Sequence, residues 1–466
     1  MARLQGWPFL AVIAALAPSL YLWNFTVDDA LIPVRYARHL ADGAGYRFNV
    51  PGPMTDGVTP LPWPFVLATF AHGDALTVLM RAKYMGLLSW LGAAAMLGGA
   101  IGRAPASRAV KAASLALLAL VVPVAAHAVS GLETGLAIAL ATAAALCTKR
   151  LYSCAILAGL AASLRPEMLP WALVLTAGTG WVANAPSRAR VFSVAVSAAP
   201  FALCVLARLV FFGRAAPLSL LAKPSDLTHG AAYAGAAAIL SLTPIVAFAP
   251  LALGRSRSAS VIAGAAVAHV LAVAFAGGDW MPYARLMAPI APSLLYAFVL
   301  AAPHAHRSAT ASRVTVAFAV GAYFMVYSAP AGRHVQRDRE ALIARTRPFV
   351  EDARSIASLD IGWPSAASEG AIVDLAGLTD PEIAVLPGGH TSKRVDVPFL
   401  LARKPEYVLV FVDKRAGESL EAWRDALFTR VLEARFAESD LFASHFHAIA
   451  FLPLGDRGNG YFLLRE

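Results

Sequence analysis

Charge is the scarcest property of this chain. Only 15% of its 466 residues are Asp, Glu, Lys or Arg, against roughly a quarter in an ordinary soluble protein. That shortage excludes a water-soluble globular fold for most of the sequence. Acids are rarer than bases, 29 against 39, and they are missing from particular places. The short segments holding Arg103, Arg108 and Lys111, Lys149 and Arg150, Arg188 and Arg190, Arg255 and Arg257, and Arg307 and Arg313 contain no Asp or Glu. The net charge of +10 is therefore in large part loop charge that orients a membrane protein, and it does not point to nucleic acid. Cysteine is nearly absent. Cys147, Cys154 and Cys204 sit in apolar segments without zinc-type spacing, which argues for small buried hydrophobes and against a disulfide framework. No internal repeat is present.

What the chain does have is apolar runs. They recur near 7–23, 82–101, 112–129, 132–147, 151–164, 168–183, 191–212, 231–253, 259–276, 285–302 and 313–329, predicting a polytopic α-helical membrane protein with about eleven crossings. The Pro-rich stretch at 61–72 is too short for a crossing and suits a re-entrant or interfacial piece. The first run is expected to stay as an uncleaved helix, because Pro18 directly follows the Ala15-Leu16-Ala17 site that a signal peptidase would need. The positive-inside bias predicts a cytoplasmic N-terminus. After Ala329 no further run appears. Residues 1–329 therefore make a transmembrane module, with a first outer loop at about 24–60, and 330–466 an extracytoplasmic soluble domain. Helical stretches at Glu340–Ser358 and Leu420–Glu438 alternate with strand-like runs at 406–412, 448–454 and 461–466, which predicts an α/β domain.

On this topology the acids collect on the outer side. Asp28 and Asp29 follow the first run directly, in NFTVDDALIPVRYARHLADGAGYRFN. A carboxylate beside hydrocarbon loses hydration, so the pair calls for a reason. Asp28 suits the N-cap of an amphipathic surface helix from Ala30 to Leu40, with Asp29 at its favourable dipole end. It equally suits a base that deprotonates an acceptor hydroxyl. Glu133 in SGLETG would cap a turn between two runs. Arg165 and Glu167 in LRPE would pair with each other, or Arg165 would hold a phosphate. Arg214 and Lys223 in FFGRAAPLSLLAKP are either snorkelling cations or contacts for a lipid-linked phosphate. Asp279, Trp280, Tyr283 and Arg285 in GGDWMPYAR fit an aromatic belt with an ion pair, or a sugar-binding face. No metal cluster is visible, although Asp28 and Asp29 are compatible with a Mg²⁺ or Ca²⁺ ion.

DDALIPVRYARHLADGAGYRFN followed by DGVTPLPW, then SGLETG, LRPE, GRAAPLSLLAK and GGDWMPYAR in that order, and the tail segments IVDLAGLTDPEIA, GGH-SKR and LARKPEYVLV together resemble the GT-C superfamily of polytopic glycosyltransferases. The similarity is greatest to the mycobacterial-type terminal β-(1→2) arabinofuranosyltransferases, which use decaprenylphosphoryl arabinose. The resemblance implies inverting transfer of a sugar from a polyprenyl-phosphate donor to a cell-envelope glycan or lipid acceptor at the outer face of a bacterial plasma membrane. It places the family's acid on Asp28, with Asp29 beside it. Arg165, Lys223 and Arg285 become the phosphate-binding candidates and Glu133, Glu167, Asp279 and Trp280 their supports. In the tail, Asp374, Asp380, His390 and Lys393 fall in the motif-rich part, with His390 and Lys393 as acceptor contacts. Pro62 is an insertion relative to the family's Ser-Pro-Leu-Trp pattern, so Thr59 carries no assigned role. The competing class is a transporter or flippase of lipid-linked sugars. It would need polar residues at the bilayer midplane, and these runs hold almost none apart from Arg208 near one end.

Overall fold

The computed structural model describes residues 6–242, 245 and 249–466. The predicted run near 231–253 falls partly outside these. Its described parts are the helices Leu227–Leu240 and Pro250–Gly254.

Contacts divide the chain into two compact units. One is built from described residues within Met1–Thr26, Met80–Leu206 and Ser225–His334, the other from Val27–Leu79, Ala207–Pro224 and Val335–Glu466. A linear boundary near 330 thus separates the tail from the long helices, but the first outer loop and a short stretch ending at Pro224 belong with the tail.

The first unit is helical. Among the described residues five helices, lying wholly or mostly in this unit, are long and apolar enough to cross a membrane: Ala75–Arg103, Ser187–Phe212, Arg257–Phe275, Arg285–His304 and Arg307–Tyr327. A sixth arises if Arg108–Leu118 and Val122–Ala128, bent by 53° at their junction, count as one span. The bend falls where Pro123 enters the first turn of the second segment, since proline's missing N–H and its ring prevent the preceding helix from running on. Thr134–Leu146, Leu151–Leu164 and Leu169–Val182, each expected as a crossing, are helices of 13, 14 and 14 residues, short of the roughly 20 that a bilayer needs. Small residues set how closely these helices approach. A Cβ on Gly135 would lie 2.6 Å from the Cα of Gly86, so neither position has room for a side chain.

The second unit carries a five-stranded mixed sheet. Its strands are β1 (Ser355–Ser358), β2 (Ala371–Asp374), β3 (Tyr407–Val412), β4 (His447–Pro453) and β5 (Gly460–Arg465), in the order β2-β1-β3-β5-β4. β1 runs parallel to β2 and β3, while β5 is antiparallel to both β3 and β4. The three longer strands match the predicted runs. β1 and β2 have four residues each, and β1 occupies the end of the segment expected to be helical to Ser358. The helix Val335–Val350 stops early, with Pro348 in its last turn. The other predicted helix divides into Glu421–Asp425 and Val431–Glu438.

The first-loop helix Leu31–Ala41 is not a surface helix. Its first seven residues are all buried. Arg35, 2% exposed, donates to the carbonyls of Phe48 (2.7 Å), Ser365 (3.2 Å), Ser368 (3.1 Å), Glu369 (3.3 Å) and Gly370 (2.7 Å). The hydrophobic face predicted to meet lipid is thus turned toward protein, and its one buried charge is satisfied by carbonyl oxygens.

Candidate functional site

Asp28 opens a three-residue 3₁₀ turn, Asp28–Ala30, that runs into Leu31–Ala41. The N-cap position is Val27, with extended backbone, so Asp28 does not cap its own helix. Its carboxylate reaches another chain segment instead. Oδ2 accepts from the Gly362 N–H and Oδ1 from the Trp363 N–H, both at 2.9 Å. These are the first residues of the helix Gly362–Ala367, so Asp28 fills the role of a capping carboxylate for a helix far along the chain. Arg339 Nη1, from the Val335–Val350 helix, lies 3.6 Å from Oδ1.

Behind Arg339 sits a second acid. Asp360 accepts from Arg430 Nη1 at 2.9 Å and from the Tyr461 hydroxyl of β5. Burial pushes Asp28 up to about 6; Arg339 works against the shift, while Asp360 and Asp29 add to it. Asp360 moves the other way, below the usual carboxylate range. Burial alone would raise it, but Arg430, Arg339 and the Tyr461 hydroxyl together outweigh that. Two acids that share Arg339 are thus driven apart in acidity, a pattern common at catalytic sites and also found in structural ion networks.

Asp29 is the more open of the pair, with its side chain 32% exposed against 11% for Asp28. Lys223 Nζ stands 3.9 Å from Asp29 Oδ2, just past the short helix Leu218–Ala222. His390 joins this group. Burial lowers it to about 4, and Lys223 lowers it further while Asp29 opposes, so at neutral pH it is an uncharged imidazole beside an ion pair. The structure therefore brings together Asp28, Asp29, Lys223 and His390 from three separate stretches of chain.

Other sequence candidates have different surroundings. Lys393 is 1% exposed and donates to the carbonyls of Ala384 and Leu386 at 2.8 and 2.9 Å. It ties a loop together and presents no free ammonium to an acceptor. Asp374 accepts from the backbone of Ala376, Gly377 and Thr379 and from the Thr379 hydroxyl. Asp380 caps Pro381–Ala384 and pairs with Arg403 at 2.9 Å. Arg208, the one charge noted within an apolar run, is matched by Asp56 at 2.7 Å.

In the helical unit the expected cations hold acids. Arg165 lies 2.7 Å from Glu133 and 3.8 Å from Glu167, and it donates to Thr134 Oγ1 at 2.5 Å. Its main partner is Glu133, not the neighbouring Glu167 that sequence spacing favoured. Arg285 and Asp279 pair at 2.7 Å. Trp280 is exposed and stacks on His229, with ring centroids 4.0 Å apart.

Among the described residues no group of three or more His, Cys, Asp or Glu is placed to hold a metal ion. At Asp28 the donor chemistry is also wrong for one. Both oxygens receive N–H groups and a guanidinium stands beside them, whereas Mg²⁺ or Ca²⁺ asks for a shell of oxygens.

Sequence inspection missed Arg339, Asp360, Gly362, Arg430 and Tyr461.

Residues 333–461 match the model of a family described as a domain of unknown function, DUF8728. No curated protein and no solved structure matches the chain.

Proposed function

We propose that this chain is an inverting glycosyltransferase of GT-C type. It moves a sugar, with arabinofuranose the first candidate, from a polyprenyl phosphate to a cell-envelope glycan or lipid acceptor. The proposal includes about eleven crossings of a bacterial plasma membrane, a cytoplasmic N-terminus and an extracytoplasmic tail. The observation that carries it is Asp28: a carboxylate fixed by two backbone N–H groups and raised to about 6. Such a group is still ionised at neutral pH, yet basic enough to take a proton from a hydroxyl in the transition state.

In this reading the acceptor oxygen attacks the anomeric carbon while its proton passes to Asp28. The bond from that carbon to the phosphate oxygen breaks, and the polyprenyl phosphate leaves with the electron pair. The leaving group needs positive charge more than a proton. Of the three cations expected to hold the phosphate, Lys223, partly exposed beside Asp29, is the one that shares a unit with Asp28. His390 is left as an acceptor contact, and Asp29 orients the nucleophile or holds Lys223.

The test is transfer by the purified full-length protein from a polyprenyl-phosphate sugar to a glycan acceptor. Asp28→Asn and Asp28→Ala should each lower turnover by about 10²–10⁴-fold. Wild-type turnover in both variants removes Asp28 as the base. If the wild-type protein transfers nothing yet moves lipid-linked sugar across proteoliposomes, the transporter reading replaces this one.

A further inference from the structure

A cavity of about 1010 Å³ lies within the helical unit, and the residues around it play no part in the sugar-transfer proposal. Three exposed cations line it: Arg103 at the end of Ala75–Arg103, and Lys149 and Arg150 between Thr134–Leu146 and Leu151–Leu164. Among the described residues no Asp or Glu lines it. None occurs in the sequence between Asp74 and Glu133 or between Glu133 and Glu167, so these cations have no acid close by along the chain.

Two helix N-termini open on the same space. Leu151–Leu164 starts directly after Arg150, and Arg257–Phe275 is capped by Ser256, with Ser256 and Ser258 both in the lining. Each adds first-turn N–H groups and the positive end of a helix dipole. The remaining wall is mostly apolar and includes Met96, Leu157 and Leu300, with Thr148 and Tyr296 as its hydroxyl-bearing members.

Loop cations that serve only to orient a membrane protein need no cavity. Here they converge on one, beside an apolar wall, on the side that the charge bias predicts to be cytoplasmic. A free phosphate would satisfy the cations and leave the apolar wall unused. An amphiphile uses both.

We propose that this cavity binds an anionic phospholipid. Its phosphate lies among Arg103, Lys149, Arg150 and the two helix N-termini, and its chains lie along Met96, Leu157 and Leu300. The volume is at the upper end of the roughly 300–1,000 Å³ usual for small-molecule sites, enough for a headgroup with its glycerol.

The test uses the full-length protein, stripped of lipid, and titrates phosphatidylglycerol against phosphatidylcholine, with glycerol 3-phosphate and inorganic phosphate as soluble arms. Wild-type protein should prefer phosphatidylglycerol. The triple variant R103Q/K149Q/R150Q should lose about tenfold or more of that affinity. A control triple, R108Q/R188Q/R307Q, removes the same charge from exposed positions in the first turns of three helices outside the cavity and should stay within about twofold, far below the roughly 150-fold that ~1 kcal/mol for each of three surface cations corresponds to. Equal losses in both triples, or no lipid preference in the wild type, overturn the proposal. Glycerol 3-phosphate binding as tightly as the lipid also overturns it, in favour of a soluble phosphate ligand. A photoactivatable phosphatidylglycerol on the wild-type protein gives a readout independent of variant folding. Cross-links should map to 95–105, 143–157 or 296–300, and labelling only elsewhere refutes the site.

Discussion

At the scale of single residues, burial sets the acidity of Asp28, whereas charge pairing sets that of Asp360. Asp28 keeps an arginine at 3.6 Å and two N–H donors, and still ends at about 6 because desolvation outweighs them. If Asp28 is the base, the protonated form is inactive. Turnover should therefore fall as pH drops through about 6 and level off above it, and a flat profile from pH 5 to 8 would count against the assignment. Glu433 gives a prediction for stability. Burial raises it from 4.5 to about 8, although Arg430 and the Phe411 N–H oppose the change. A carboxyl that holds its proton more tightly when folded stabilises the fold fully below the unfolded value, and loses that contribution as pH rises through the folded one. Thermal stability should thus decline from about pH 4.5 to about pH 8 and level off above, and Glu433→Gln should flatten that decline; an unchanged slope in the variant would refute it. The pair Asp28–Asp29 was legible as a candidate because two acids next to an apolar run are unusual. Arg339 and Asp360 were not, since an arginine on a charged helix and a lone aspartate after a short strand are ordinary until folding brings them together.

Among the elements, the helix Gly362–Ala367 matters out of proportion to its six residues. Its first two N–H groups fix Asp28, and its first residue has to be glycine for steric reasons. A Cβ at Gly362 would collide with the Asp28 carbonyl oxygen and come within 2.9 Å of its carboxyl carbon. Gly362→Ala should therefore push the 3₁₀ turn away from the helix, costing about 1–3 kcal/mol of stability and lowering turnover more than thermal stability alone accounts for. Wild-type turnover in this variant would show that Asp28 does not depend on the contact. The amphipathic pattern of Leu31–Ala41 was correctly legible as a helix, but not the surface it meets. Periodicity identifies an apolar face without saying whether lipid or protein covers it. The four-residue strands β1 and β2 were missed because so short a run carries too few alternations to be told from a helix end.

For the whole molecule, the tail is part of the unit that holds Asp28 and Asp29. Ending the chain after His334 removes Arg339, Asp360, Gly362 and Trp363, together with four of the five carbonyls that hold Arg35. Limited proteolysis of such a truncation should open new cuts between residues 27 and 79. Continued protection there would mean that the first loop folds without the tail. The sequence by itself determined the membrane character, the apolar helices, the longer strands and the acids most worth testing. All of these follow from local composition and period, which each segment carries within itself. Only the tertiary structure decided which cation faces which acid, that Asp28 caps a distant helix, and that Lys393 supports a loop. Those depend on desolvation and on approaches of a few ångströms that only folding creates, within a loop for Lys393 and across 334 residues for Asp28 and Gly362, which no local pattern encodes.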